Sequence, residues 1–178
     1  MKNKISLLQQ GFTLVELLIV VIILAILAAI VVPQFASSTD DAKVSALDSS
    51  LANMRAAIDL YYQQHGSYPS GTAAAGATCP GGGTAGTGAV DTVQAFIDQM
   101  TRYTNSAGQS CTTKDTVFKY GPYLKKDALP TNPITELNGL VISTTGALGM
   151  TGAAVGAGWR FDNLTGQFIA DDAAYDDH

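Results

Sequence analysis

Gly11-Phe12-Thr13-Leu14-Val15-Glu16 sets a glycine, a phenylalanine and a lone acid at the mouth of a long apolar segment. From Leu14 to Val32, Glu16 is the only ionisable side chain. Counted from Phe12 the segment is about 21 residues, about 30 Å as a helix, enough to cross the hydrocarbon core of a bilayer. Met1 to Gly11 carry Lys2 and Lys4 and no acid, whereas Asp40 and Asp41 follow the segment. That lysine bias puts the N-terminus in the cytoplasm and the remainder of the chain outside.

A secretory signal peptide shares the basic start and the apolar stretch. Its apolar core is only about 7–15 residues and has no use for an acid. A carboxylate in mid-span costs roughly 2.5–3.5 kcal/mol on insertion scales, less near the interface, so Glu16 is a functional candidate that needs a positive partner. The span holds no Lys or Arg, and the next basic side chain after Glu16 is Lys43, about 40 Å on along a helix. A cut after Gly11 would place a new α-amino cation on Phe12, one helical turn from Glu16. A neighbouring copy could then offer that amine to this carboxylate.

Gly11-Phe12-Thr13-Leu14-Val15-Glu16-Leu17-Leu18-Ile19-Val20 resembles the type IV prepilin signature shared by pilins and type II secretion pseudopilins, and the likeness continues through Ala28-Ala29-Ile30-Val31-Val32-Pro33-Gln34-Phe35. The resemblance implies a membrane prepilin peptidase that cuts between Gly11 and Phe12 and methylates the Phe12 nitrogen, with Glu16 driving docking onto the preceding subunit. It also implies an α+β pilin fold, in which a long N-terminal helix lays its second half on a small C-terminal antiparallel sheet. Residues 1–11 are then a leader, 12–33 the transmembrane and polymerisation half of the helix, 34–66 its amphipathic half, and 67–178 a periplasmic or extracellular globular domain. The implied partners are further copies in a filament, the peptidase, an inner-membrane assembly platform and minor pilins or pseudopilins.

Composition agrees with an exported domain on a membrane stalk: 47% of residues are apolar and 14% charged, against about 25% charged in typical soluble domains. The net charge is −5, and without Lys2 and Lys4 the side chains total −7. That balance disfavours phosphate backbones, and no nucleic-acid partner is expected.

After Pro33, Val44, Leu47, Leu51, Met54, Ile58 and Tyr61 recur at helical spacing, with Lys43, Asp48, Arg55, Asp59 and Gln63 elsewhere. This predicts one buried face, packed on the chain's own C-terminal strands rather than in a coiled-coil seam. Gly66 supplies a C-cap and Tyr68-Pro69 forbids continuation, giving a helix from Phe12 to about His65, about 80 Å long. Pro33 lacks an N–H and clashes with the carbonyl four residues back. A loosening around Ala29 to Pro33 follows, read as a hinge used in assembly.

Ser70 to Gly88 is Gly, Ala, Thr and Ser almost throughout, too poor in apolar surface to order itself. Cys79 and Cys111 are the only cysteines, and an even count in an exported domain predicts a disulfide that tethers this loop. Between them, Asp91 with Gln94 resembles a capping box, ahead of a helical stripe of Val93, Phe96, Ile97, Met100 and Tyr103. Four strands are predicted further on: Val117-Phe118-Lys119-Tyr120, Leu140-Val141-Ile142-Ser143, Trp159-Arg160-Phe161 and Gln167-Phe168-Ile169. The last two close on the turn Asp162 to Gly166.

Tyr61-Tyr62-Gln63-Gln64-His65-Gly66-Ser67-Tyr68-Pro69 and Gly121-Pro122-Tyr123-Leu124-Lys125-Lys126 with Leu129-Pro130-Thr131-Asn132-Pro133 resemble the major type II pseudopilin. That family usually lacks a disulfide and ends in a calcium loop, whereas Cys79, Cys111 and two Gly-rich insertions are closer to pilin habit. Asp171, Asp172, Asp176 and Asp177 offer the oxygen ligands calcium takes, at a spacing that matches no calcium loop; a solvated acidic tail is the simpler reading. No resident cofactor is expected. Asn163-Leu164-Thr165 is formally a glycosylation triplet. His65 and His178 stand alone, and there is no nucleotide glycine motif, metal-binding His pair or nucleophile elbow, so no enzyme is expected. The reading favoured is a structural subunit of a type IV filament, first a type II secretion pseudopilin; the alternatives are a major or minor type IV pilus subunit and, behind both, a single-pass membrane-anchored binding module.

Overall fold

The computed structural model describes residues 12–153 and 156–178, with the backbone alone for 32–37. One helix, α1, is assigned over Leu14–His65. Pro33 lies inside it, so the expected loosening does not break the assigned helix. By packing the chain divides into two units between Ala42 and Lys43. In the first unit the described residues are helix from Leu14 on, and the second holds every other element.

The second unit is built on the apolar stripe of α1. Leu47, Leu51, Met54, Ile58 and Tyr61 are all buried, as their spacing predicts. They pack with Phe96 and Met100 of α2 (Val93–Thr101) and with aromatic residues of the sheet. Fully burying one such side chain contributes about 1.5–3 kcal/mol, so this stripe fixes the helix to its own domain. At the end of α1, Gly66 takes φ 71° and its N–H donates to the Tyr62 carbonyl. That is the left-handed cap a glycine adopts without penalty.

The main sheet has three strands, β3 (Gly139–Ser143), β4 (Gly158–Asp162) and β5 (Phe168–Ala170), in the order β3-β4-β5. β4 and β5 form the antiparallel hairpin read from the sequence, with Phe161 opposite Phe168. β3 pairs with β4 in parallel, so the sheet is mixed where the resemblance implies an antiparallel one. The long Thr144 to Ala157 connection is what allows this, because parallel neighbours need a crossover and cannot be joined by a tight turn. Trp159 stacks on Phe168 at 5.3 Å, and Phe161 meets Phe96 edge to face at 4.9 Å, each filling the core beneath α1.

A second, two-stranded sheet pairs β1 (Tyr103–Thr104) with β2 (Ser110–Cys111). Val117 to Tyr120, read as a strand, is not one: Tyr120 alone makes a bridge, to Thr104. The Asp115 carboxylate accepts from the N–H groups of both Val117 and Phe118, at 2.8 and 2.6 Å, and curls the chain into a turn. A side chain offering a local partner has displaced the ladder. Helix α2 also starts differently from the sequence reading. Its N-cap is Thr92, whose hydroxyl accepts from Ala95 N at 3.1 Å. Asp91 instead sits at φ 63° and accepts from the Asn163 side chain at 2.7 Å.

Candidate polymerisation site

Thr13 and Glu16 form a closed unit at the head of α1. The Thr13 hydroxyl accepts from Glu16 N at 3.2 Å, while Thr13 N and Oγ1 donate to Glu16 Oε2 at 2.9 and 2.7 Å. This is a capping box, in which two helix-end donors are satisfied reciprocally. The positive end of the helix dipole adds to it by favouring a carboxylate in the first turn. Glu16 Oε1 has no partner among the described residues, which leaves half of the carboxylate open. Sequence reasoning had quoted Thr13 without giving it a role. The Thr-x-x-Glu spacing was the available signal.

Around this unit the helix is apolar on every side. Phe12 is 84% exposed, and from Leu14 to Val31 no side chain is buried. The stretch is long and apolar enough to cross a membrane. A helix that is hydrophobic all round and bare is stable in lipid or in the core of an assembly, not in water. Gly11 and the cleavage position lie outside the described residues, and of Pro33 the structure describes only the helical backbone.

The two cysteines are joined as predicted, Cys79 to Cys111, with Cα atoms 5.8 Å apart. The loop they close is held by more than the disulfide. Buried Asp98 accepts from the N–H groups of Thr87 and Gly88 at 2.8 and 3.2 Å and pairs with Arg102 at 3.2 Å. Gln99 Oε1 accepts from Ser70 N at 2.6 Å, while its Nε2 donates to the carbonyls of Thr72 and Gly108 at 2.9 and 3.0 Å. A β-carbon at Gly88 would lie 2.1 Å from Ala95 N, so only glycine lets the loop come this close to α2. These two polar side chains lie off the apolar stripe that the sequence pattern makes visible. A loop of small side chains must find partners for its backbone, and adjacent Asp and Gln on the nearest helix are the clue in the sequence.

The acids at the C-terminus are not a solvated tail throughout. Asp171 is buried: its carboxylate accepts from Ala153 N at 3.0 Å, Ala157 N at 2.8 Å and Arg160 Nε at 2.9 Å. Burial raises its pKa, but these donors overcome that and leave it below the usual carboxylate range. Asp176 accepts from Gly152 N at 2.7 Å and Asp172 from Ala174 N at 2.9 Å, while Asp177 is exposed. The weak calcium candidates are therefore spread over separate protein donors. Among the described residues no group of three His, Cys, Asp or Glu side chains is placed to hold a metal ion.

Asp162 fills a comparable post in the β4–β5 turn. It accepts from Leu164 N, Thr165 N, Gly146 N and the hydroxyls of Ser143, Thr145 and Thr165. Burial pushes its carboxyl up, and these donors more than reverse that, to about 2. The Asn163 amide is buried and engaged with Asp91, so the formal glycosylation triplet has no free acceptor. His65 lies half-buried on Tyr61, 4.1 Å between ring centroids, with Thr104 Oγ1 2.9 Å from its Nε2. His178 meets Asp48 at 2.9 Å.

Residues 7–32 match the prokaryotic N-terminal methylation motif. The chain is 48% identical over 62 residues to type II secretion system core protein G of Pseudomonas aeruginosa, which covers 35% of this chain and 44% of that protein. It is 40% identical over 73 residues to a type IV major pilin protein of Neisseria gonorrhoeae, covering 41% and 44%. To a fimbrial protein of Neisseria meningitidis it is 42% identical over 69 residues, covering 39% and 41%. The chain thus spans less than half the length of these relatives. No solved structure matches. By its methylation motif and by these likenesses, this α+β chain is similar over part of its length to type IV pilins and pseudopilins.

Proposed function

We propose that the chain is a structural subunit of a type IV filament, and more narrowly a pseudopilin of a type II secretion system. It is not read as an enzyme: the covalent chemistry is done to it, by a prepilin peptidase that cuts between Gly11 and Phe12 and methylates Phe12. The N-terminus faces the cytoplasm and the domain after the span lies across the inner membrane. The observation that carries the reading is the Thr13–Glu16 capping box at the head of a bare apolar helix. One carboxylate oxygen is held in place and the other is directed to a cation outside the chain, which suits an amine on a neighbouring Phe12.

The likeness to core protein G and the stretches Tyr61 to Pro69 and Gly121 to Pro133 favour the secretion assignment. The disulfide and the matches to Neisseria pilins support the second reading, a pilus subunit. Deleting the gene and scoring the secreted proteome beside surface filaments separates them. Loss of secretion with filaments unchanged is the expected result. Loss of filaments with secretion intact would replace the pseudopilin by a pilin, and no change in either would return the chain to a membrane-anchored binding module.

A further inference from the structure

One flank of α1 carries two opposite charges that are not paired with each other. Arg55 and Asp59 line a cavity of about 300 Å³ within the second unit, bounded on its other sides by Tyr68, by Thr165 and Gly166 of the β4–β5 turn, and by Gln167. An arginine and an aspartate one helical turn apart are placed to pair. Here Arg55 is drawn away: its Nε donates to the Phe168 carbonyl at 3.0 Å and its Nη2 to the His178 carbonyl. Those bonds leave the Nη1 donors of the guanidinium over and supply no negative charge. Asp59 is exposed and makes no hydrogen bond or ion pair among the described residues.

The remaining polar groups of the lining are held in place. Gln167 Oε1 accepts from Met150 N at 3.3 Å, which sets the amide and leaves its Nε2 donors without a partner among the described residues. Tyr68 stacks on Tyr62, 4.4 Å between ring centroids, and lies against Gly166, so its ring is fixed from two sides. Burial, the Tyr62 ring and the Asp59 carboxylate all raise the Tyr68 pKa. Its hydroxyl therefore stays neutral, able to donate and to accept, and it lies within reach of the Asp59 charge. Phe168 and Ile169 complete the lining with apolar surface.

The balance of these groups selects the ligand. An anion is repelled by Asp59 and a cation by Arg55, so the site favours a molecule with no net charge. Donors at Arg55 and Gln167, an acceptor at Asp59 and a two-way hydroxyl at Tyr68 border one small volume, at the lower end of ligand pockets. The matching molecule presents donors and acceptors side by side and turns an apolar face to Phe168 and Ile169. Neighbouring hydroxyls of a sugar ring each donate and accept, and the C–H groups of the same ring supply the apolar face. We propose that this cavity binds a neutral sugar, one ring deep, with Asp59 accepting from one hydroxyl and Arg55 donating to the next. The site takes no residue from the bare half of α1 and stands independently of the filament reading.

The test takes the full-length chain, solubilised in a polyoxyethylene detergent so that no sugar headgroup competes. Saturation transfer is measured by NMR to glucose, galactose, mannose and their N-acetylamino forms, with glucuronate, glucosamine and glycine as anionic, cationic and zwitterionic comparators. At least one neutral sugar is expected to bind in the millimolar range, with every comparator at least tenfold weaker. Asp59→Ala should weaken that binding at least tenfold and Tyr68→Phe severalfold, the order of a hydrogen bond to a charged group and of one to a neutral group. Both variants should keep the wild-type thermal midpoint, because Asp59 is exposed and Tyr68→Phe leaves the ring on Tyr62. Absence of transfer to any neutral sugar at tens of millimolar would overturn the site, as would binding that neither variant changes. Transfer to glycine alone would overturn the sugar in favour of a zwitterion.

Discussion

Leu14 to Val31 and Leu47 to Tyr61 lie on one helix and treat their apolar side chains in opposite ways. The first stretch buries none of them, while the second buries Leu47, Leu51, Met54, Ile58 and Tyr61 against α2 and the sheet. The polar groups divide in the same manner. Asp98, Asp162 and Asp171 are satisfied by several donors of their own domain, whereas Glu16 is held by a single neighbour and keeps one oxygen open. One half of the helix has found its partners within the chain, and the other leaves its apolar side chains exposed, as the filament reading proposed above requires.

The largest expected effect attacks the outward-facing half. Glu16→Val should abolish assembly, read as loss of the ladder of self-crosslinked subunits in the cell envelope, while leaving cleavage and membrane insertion intact, read as normal mobility of the processed subunit on an immunoblot. An intact ladder would mean that the open oxygen has no partner to lose. A matched pair of truncations then sharpens the contrast. Leu51→Ala should destabilise the folded subunit by about 2–5 kcal/mol, the usual loss for a buried leucine. Leu24→Ala should leave the thermal midpoint of the detergent-solubilised subunit unchanged, since Leu24 is exposed in it. Equal effects from the two would erase the distinction between the halves.

The apolar side of this division was legible in the sequence. An unbroken apolar run with one acid and a stripe at spacings of three and four leave little choice, and the hairpin closing on Asp162 to Gly166 appeared where its turn residues put it. What was hidden were local contests between side chain and backbone. Nothing in Val117 to Tyr120 announces that Asp115 will take two of its N–H groups. Thr92 and Asp91 are both good caps, and the preference for Thr92 is decided by Asn163, 72 residues away, claiming Asp91. The parallel pairing of β3 with β4 likewise depends on a Gly-rich connection whose composition permits either direction. At the candidate site Phe12 and Glu16 stand out by type and position, while the hydrogen bonds of Thr13 to Glu16 emerged with the geometry.

A third test concerns how the inward-facing half keeps its least structured loop. Replacing both Cys79 and Cys111 by Ala opens a ring with a sequence separation of 32 residues, a loss of about 3–4 kcal/mol by chain-entropy arithmetic. Asp98 and Gln99 remain, so the amides of Ser70, Thr87 and Gly88 should stay protected in hydrogen exchange even as the midpoint of unfolding falls. Loss of that protection would make the disulfide, not the polar face of α2, the organiser of the loop.

The smallest effect is the most specific, because it follows from the sign of two pKa shifts. Asp162 and Asp171 are held below the usual carboxylate range in the folded state, Asp162 at about 2. A carboxyl whose folded pKa is depressed lends stability that is present above its unfolded value near 4 and lost as pH falls through the folded value. Stability should therefore begin to fall below about pH 5 and continue towards pH 2, with Asp162 responsible for about 2 kcal/mol of the loss. His65 adds a gentler slope at higher pH. Burial lowers its pKa, so the unfolded chain takes up the proton first and stability declines as pH drops below about 6.5. Asp162→Asn should flatten the acid limb and leave the histidine slope, whereas His65→Gln should do the reverse. A denaturation series at pH 3, 5, 6 and 8 on the three proteins separates the two windows. An acid limb unchanged by Asp162→Asn would show that the six donors converging on that carboxylate do not hold the β4–β5 turn.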